Sequence, residues 1–346
     1  MENMILNMKR PVLYPKFKTI GAHFQEHQGW DLPCDFGSLL SEWEAVRTQT
    51  GILDFSYRGK ILVTGKDRMS FLHSMLSNDI KNLAMGSSCY ATLLTPKGKI
   101  ISDLHVFALK DQHLLELDEA NLTKVVEHLS KFMITEEVEL KNASDLFGIL
   151  SIQGPRSNEI VQKLSLHQSF FSHERCSREG FDLIIPIENL EKVWDEIQLQ
   201  EKIQPIGLSA YNMLRIESGI PLFGSELDEG IIPNEANLEK AISWTKGCYP
   251  GQEIVARIKY RGGIKRNLCG ILLHENSLPQ KSDSVFSGDD EIGFITSSTY
   301  SLLMKSNIAL AFLKVSTTLS DKKIEIHHGE EILKGIVQIL PFQSKI

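Results

Sequence analysis

The chain has 346 residues, 42% of them hydrophobic and 23% charged, with a formal net charge of -7. That length supports two or three domains and a sizeable core, and that composition excludes an intrinsically disordered protein. The acidic balance argues against a general or sequence-specific nucleic-acid binder, and no run reaches the roughly 18 apolar residues of a membrane helix.

In chain order, Leu39, Leu40, Trp43 and Val46 recur at helical spacing and predict a helix over 38–51, with Gly51 as its stop. KILVTG predicts a strand at 60–65. A helix is predicted over about 67–77, with Phe71, Leu72, Met75 and Leu76 on one side. A meander follows: strand 89–95, a turn at Pro96-Lys97-Gly98, strand 99–109, a turn at Asp111-Gln112, and strand 113–118. Leu122, Val125, Val126, Leu129, Phe132 and Met133 give the clearest helix, 119–133. Strand 146–152, a helix from Pro155, strand 181–186 and helices 188–199 and 207–218 complete this part. Helices segregate from antiparallel strands, so the class is α+β. From about residue 267, short strands alternate with turns such as Ser287-Gly288-Asp289-Asp290 and His328-Gly329, which predicts a small all-β barrel or sandwich.

The most specific segment is Lys246-Gly247-Cys248-Tyr249-Pro250-Gly251-Gln252-Glu253. Two glycines permit backbone geometries closed to other residues, and Pro250 fixes one dihedral between them. The turn is shaped around Cys248. Residues 246–266 carry six basic side chains against one acidic, a net +5, which leaves -12 for the remainder. Nearby cations favour thiolate over thiol. They also suit a small anionic ligand, or else belong to a solvated strand with long side chains.

The five cysteines (Cys34, Cys89, Cys176, Cys248, Cys269) are odd in number and lack C-x-x-C spacing. That pattern argues against a disulfide framework or a four-cysteine zinc site and fits a reducing compartment. Cys89 and Cys269 sit in apolar, strand-like runs and are expected in the core. No targeting pattern is evident, so a cytoplasmic protein is expected. His23 and His27 lack a third ligand and read as surface residues. Ser56 lacks a histidine at a suggestive spacing. No GxxxxGK or GxGxxG occurs, so ATP and dinucleotide use are not indicated.

Asp103 lies in KIISDLHVF. By alternation it shares a face with Ile101, His105 and Phe107, where a carboxylate is costly unless exposed or bonded. Glu217 closes the predicted helix 207–218, where its charge opposes the helix dipole. An ion pair with Arg215 would account for it. So would a ligand edge with two parallel donors, which a glutamate accepts well.

The octapeptide, continued by IVARIKYRGGIKR, resembles the signature of the YgfZ family. These are folate-binding relatives of the glycine-cleavage T-protein (aminomethyltransferase), linked to iron–sulfur cluster assembly or repair. GILDFSYRGKILVTGKDRMSFLHSMLSNDI, LRIESGIPLFGSEL and EIGFITSSTYSLLMKSNIALAFL are similar to further T-protein blocks, spread between residues 51 and 313. The resemblance implies a T-protein-like three-domain ring, with two mixed α+β lobes followed by a small C-terminal β-barrel. It implies a folate-binding region over 1–265, with lobes of about 1–50 plus 145–235 and 51–144 plus 236–265. The barrel would occupy 266–346.

The ligand implied is tetrahydrofolate or a derivative. Asp103 would contact its reacting nitrogens, although the family often has an Asp-Asp pair and Ser102 replaces one member here. Glu217 would accept from the pterin edge. Lys246, Arg257 and Arg261 would meet the acidic tail, where arginine binds a carboxylate bidentately. Tyr249 would stack on a flat ring or pack in the core. Asn234, Glu235 and Asn237 resemble a polar loop of the family. A single cysteine cannot hold a cluster. Cys248 would therefore act on a folate adduct or touch a cluster carried by a partner, an iron–sulfur enzyme or assembly factor. The expected function is tetrahydrofolate-dependent support of iron–sulfur assembly or repair. Aminomethyl transfer of glycine-cleavage type and a non-enzymatic scaffold are the alternatives.

Overall fold

The computed structural model describes residues 8–164, 170–177, 179–318 and 320–343. The chain forms two compact units. One contains Met1–Arg68, Leu83–Ser88 and His105–Asn212; the other contains Met69–Asn82, Cys89–Leu104 and Met213–Ile346. The strand Ile100–Leu109 and the helix Leu208–Glu217 each pass from one unit to the other.

The first unit holds a five-stranded sheet in the order 170–172, 180–186, 147–153, 51–54, 204–205. Its pairings are antiparallel except the last, where Gln204–Pro205 runs parallel to Gly51–Ile52. Helices Ser157–Lys163 and Leu190–Glu201 cover it. Their Ile160, Val193, Trp194 and Ile197 pack with Ile52, Leu150, Ile152, Leu183 and Ile185 in one core. The same unit holds an antiparallel ladder of 105–109, 112–117, 59–64 and 139–142.

Three sequence expectations need correction in this unit. Helix Leu39–Thr48 is capped by Ser38, whose Oγ accepts from the Ser41 amide at 3.2 Å. Its buried side chains are Glu42 and Val46, whereas Leu39 and Leu40 are exposed. Glu42 is drawn inward because its carboxylate accepts the Phe36 and Gly207 amides, at 2.6 and 2.8 Å. Gly51 is no helix stop. It opens strand Gly51–Asp54, and a Cβ there would meet Ile206 at 2.5 Å. The predicted helix 119–133 is shorter. A 3₁₀ turn, Glu119–Asn121, precedes Leu122–Ser130. Beyond it Glu136 accepts the Ile134 and Thr135 amides, a local turn that competes with helix.

The second unit ends in a closed barrel, in the order 266–273, 306–314, 290–301, 284–287, 323–328, 331–338. Its strands alternate between two cores. In Ser306–Lys314, Ala309, Ala311 and Leu313 fill the barrel. Ile308, Leu310 and Phe312 point the other way, into a cluster with Leu94, Ile100, Ile216, Ala241, Tyr249 and Val255. The segment Gln252–Arg261 is an α-helix and not a strand. Gly251, at φ +82°, forms its N-cap.

Candidate functional site

Asp103, Glu217, Lys246, Cys248, Tyr249, Arg257 and Arg261 all lie in the second unit. Asp103 is buried, and the Tyr90 phenol donates to its Oδ2 at 2.9 Å. The phenol meets one of the two carboxylate oxygens and so offsets part of the cost that an apolar sheet face imposes. The turn through Pro96-Lys97-Gly98 lays the two strands side by side, but Tyr90 itself was not legible as the partner.

Glu217 is also buried. Its Oε1 accepts from Ser301 Oγ at 2.6 Å and from the Leu303 amide at 3.1 Å. These donors offset the unfavourable helix end. Arg215 instead pairs with Glu226, Nη1 to Oε2 at 3.0 Å, and donates to Ser297 Oγ at 2.9 Å. Ile216, beside Glu217, lies in the same core cluster that Tyr90 packs against.

Lys246 is buried, with its ammonium in a cup of main-chain carbonyls. It donates to His73 O, to Leu76 O at 2.5 Å and to Asn78 O at 3.1 Å. Three donors meet three acceptors, which leaves no proton for a ligand carboxylate. Burial lowers its pKa to about 8, against the pull of Asp79. Tyr249 is a core residue, with Lys246 Nζ 5.0 Å from its ring centre. Burial pushes its phenol up to about 12.

Arg257 and Arg261 are exposed, four residues apart on one face of helix Gln252–Arg261. Lys259 lies over Trp244 at 5.2 Å. Cys248 is the exposed cysteine of the five; Cys34 and Cys89 are half-buried and Cys176 and Cys269 buried. Burial pushes those four thiols up to about 11 or 12.

The polar loop serves the fold. Asn237 donates to Leu268 O at 3.0 Å, and Glu235 accepts the Ile232 amide at 3.1 Å and faces Arg266 Nε at 3.4 Å. Asn234 donates to Val255 O at 3.5 Å.

In the first unit, His23 pairs with Asp35 at 2.7 Å, and the Ser56 hydroxyl accepts the Ile149 amide at 3.0 Å. Among the described residues no cluster of three or more His, Cys, Asp or Glu side chains could hold a metal ion, and no helix is long and apolar enough to cross a membrane.

Residues 13–178 and 176–246 match the GCVT N-terminal domain, and residues 266–342 match the glycine cleavage T-protein C-terminal barrel domain. The chain is 33% identical over 360 residues to an aminomethyltransferase of Listeria innocua, covering 98% of each chain. It is 32% identical over 363 residues to an aminomethyltransferase of a Geobacillus species, covering 98% of this chain and 99% of that one. The fold is that of the glycine cleavage system aminomethyltransferase T from Bartonella henselae: TM-score 0.85 at 21% identity, over 97% of this chain and 98% of that one.

Proposed function

This chain belongs to the glycine cleavage T-protein family, and from that premise we propose that it is a folate-dependent aminomethyltransferase of the glycine-cleavage type. Its substrates are tetrahydrofolate and an aminomethyl group carried on a lipoyl arm. The carbon's bonds to the lipoyl sulfur and to the amine break as it bridges the two folate nitrogens, and the two nitrogen-bound protons leave with the products, a reduced dihydrolipoyl thiol and ammonia. The names of the full-length relatives favour this reading over the iron–sulfur support suggested by the cysteine turn.

The observation that carries the proposal is the buried Asp103 carboxylate, bonded by Tyr90 at 2.9 Å. A folate's reacting face presents N–H donors, and a carboxylate held at a fixed rotation accepts from them without first having to order itself. The donors on Glu217 fix a second carboxylate for the pterin edge. Arg257 and Arg261 offer exposed guanidinium groups to an acidic tail. Lys246 is left out of that set, because its protons are spent on carbonyls. The absence of a second Asp at Ser102 leaves Asp103 to act with its phenol partner.

The test is methylene-tetrahydrofolate formation from an aminomethyl-lipoyl carrier protein. Wild type should turn over, Asp103→Asn should lose on the order of 100-fold or more in kcat, and Cys248→Ser should keep near-full activity. An inactive wild type, or an active Asp103→Asn, would overturn the proposal. Exposure of Cys248 supports a second reading, a folate-binding protein that meets iron–sulfur clients through that thiol. Under it, Cys248→Ser would impair client enzymes while leaving folate binding intact.

A further inference from the structure

A short hydrogen-bonded path leads to Asp103 from a residue with no part in the site so far. Asn78 follows helix Arg68–Met75 in the segment Leu76-Ser77-Asn78. Its side-chain Nδ2 donates to Tyr90 O at 2.7 Å and to Lys240 O at 3.1 Å. Its Oδ1 accepts the Asp79 amide at 2.8 Å. Two carbonyls on one side and an N–H on the other define which way the amide points. The main-chain oxygen of Asn78 is one of the three carbonyls that hold the Lys246 ammonium. The neighbouring Ser77 ties the same segment down. Its Oγ donates to Ala241 O at 2.6 Å and accepts the Thr92 amide at 2.8 Å, and its carbonyl accepts the Ser243 amide at 3.0 Å. Tyr90 thus has its backbone gripped by Asn78 and its phenol on Asp103.

We propose that Asn78 is a positioning residue for Asp103, acting through the Tyr90 backbone, with Lys246 as the clamp that holds Asn78 in place. The proposal rests on the reading of Asp103 as the working carboxylate, but its physical content is separate: loss of the Asn78 amide moves the Tyr90–Asp103 bond. The amide supplies two donors that no carboxylate can, so Asn78→Asp is nearly isosteric yet turns two attractions into repulsions. Lys246→Met keeps most of the side-chain length and removes the charge.

The experiment has two readouts. The first is the ring-carbon NMR signal of Tyr90 in protein labelled at tyrosine and assigned by Tyr90→Phe. Removal of the phenol's acceptor in Asp103→Ala sets the shift of a broken bond. Asn78→Ala, Asn78→Asp and Lys246→Met should each move the signal towards that position. Three folded variants with an unmoved signal would overturn the proposal, whatever the reaction catalysed. The second is a double-mutant cycle in kcat. Asn78→Ala and Tyr90→Phe should each cost about 10-fold to 100-fold. Acting on one path, the pair together should cost no more than the larger single change. Multiplicative losses, or an effect on KM with kcat unchanged, would overturn it. Moved signals in a protein with no transfer activity would sustain the positioning and sink only the functional reading.

Discussion

Lys246, Arg257 and Arg261 carry the same charge in different solvents. The first lies in a cup of carbonyls, and the other two stand on an exposed helix face. Sequence alone shows three cations near one cysteine and no way to rank them, because the carbonyls that claim Lys246 come from residues about 170 positions away in the chain. Asp103 and Glu217 were legible because a carboxylate on an apolar face or at a helix end demands a partner. Their partners Tyr90, Ser301 and Leu303 were not, since a tyrosine or serine can bond almost anything. The Arg215–Glu226 pair is a sharper test of buried charge at this scale. Both residues are nearly inaccessible, at 2% and 1% exposed. Arg215→Met should destabilise by about 3–5 kcal/mol in urea titration, because Glu226 stays buried without its cation. The double variant Arg215→Met/Glu226→Gln should recover part of that loss.

Elements were read well where one face is apolar and poorly where polar contacts decide. The barrel was visible as short strands and turns because its alternation serves two cores. The cations of 246–266 read from sequence as a patch for a small anionic ligand or as a solvated strand, whereas 252–261 is a helix. Half of its ten residues are apolar but Val255 is the one it buries, and the start of the helix depends on Gly251 in a left-handed conformation. A Cβ at Gly251 would lie 2.6 Å from Thr95 O and 2.8 Å from Gly98 Cα. Gly251→Ala should therefore cost about 2–3 kcal/mol. It should also loosen the cysteine turn, seen as faster hydrogen exchange at residues 247–255. Unchanged stability would mean that the loop shifts at no cost.

At the scale of the molecule, acid is the condition most opposed to folding, and the groups responsible lie in the first unit. Burial alone would raise Asp182 and Glu116, but Arg175 with His173, and Arg175 with Arg58, outweigh it and hold both carboxyls well below their usual range. Such groups stabilise above the unfolded carboxylate pKa, and that contribution is lost as pH falls through their folded values. The histidines act in the same direction. Burial lowers His105 and His173, and it lowers His113 to about 4 with Arg68 adding to the effect. Below pH 6.5 the unfolded chain takes protons that the folded chain refuses, so stability falls between about pH 6.5 and 4. Among the described residues neither ring nitrogen of His113 has a hydrogen-bond partner. Chemical denaturation across this window should show His113→Leu losing less stability with acid than wild type, by on the order of 2 kcal/mol after allowance for solvent screening. Parallel pH profiles would clear His113 and assign the acid sensitivity to the carboxylates and to His105 and His173.

The proposed function requires the second unit to bind a reduced folate through Glu217 and Asp103. Calorimetric titration of anaerobic protein with tetrahydrofolate, in wild type and Glu217→Gln, addresses it most directly. Loss of one charge-assisted hydrogen bond corresponds to roughly 10-fold to 100-fold in affinity. The prediction is binding near the micromolar range in wild type, weakened by that factor in the variant with the melting temperature retained. No heat in wild type, or equal affinity in the two proteins, would contradict the account.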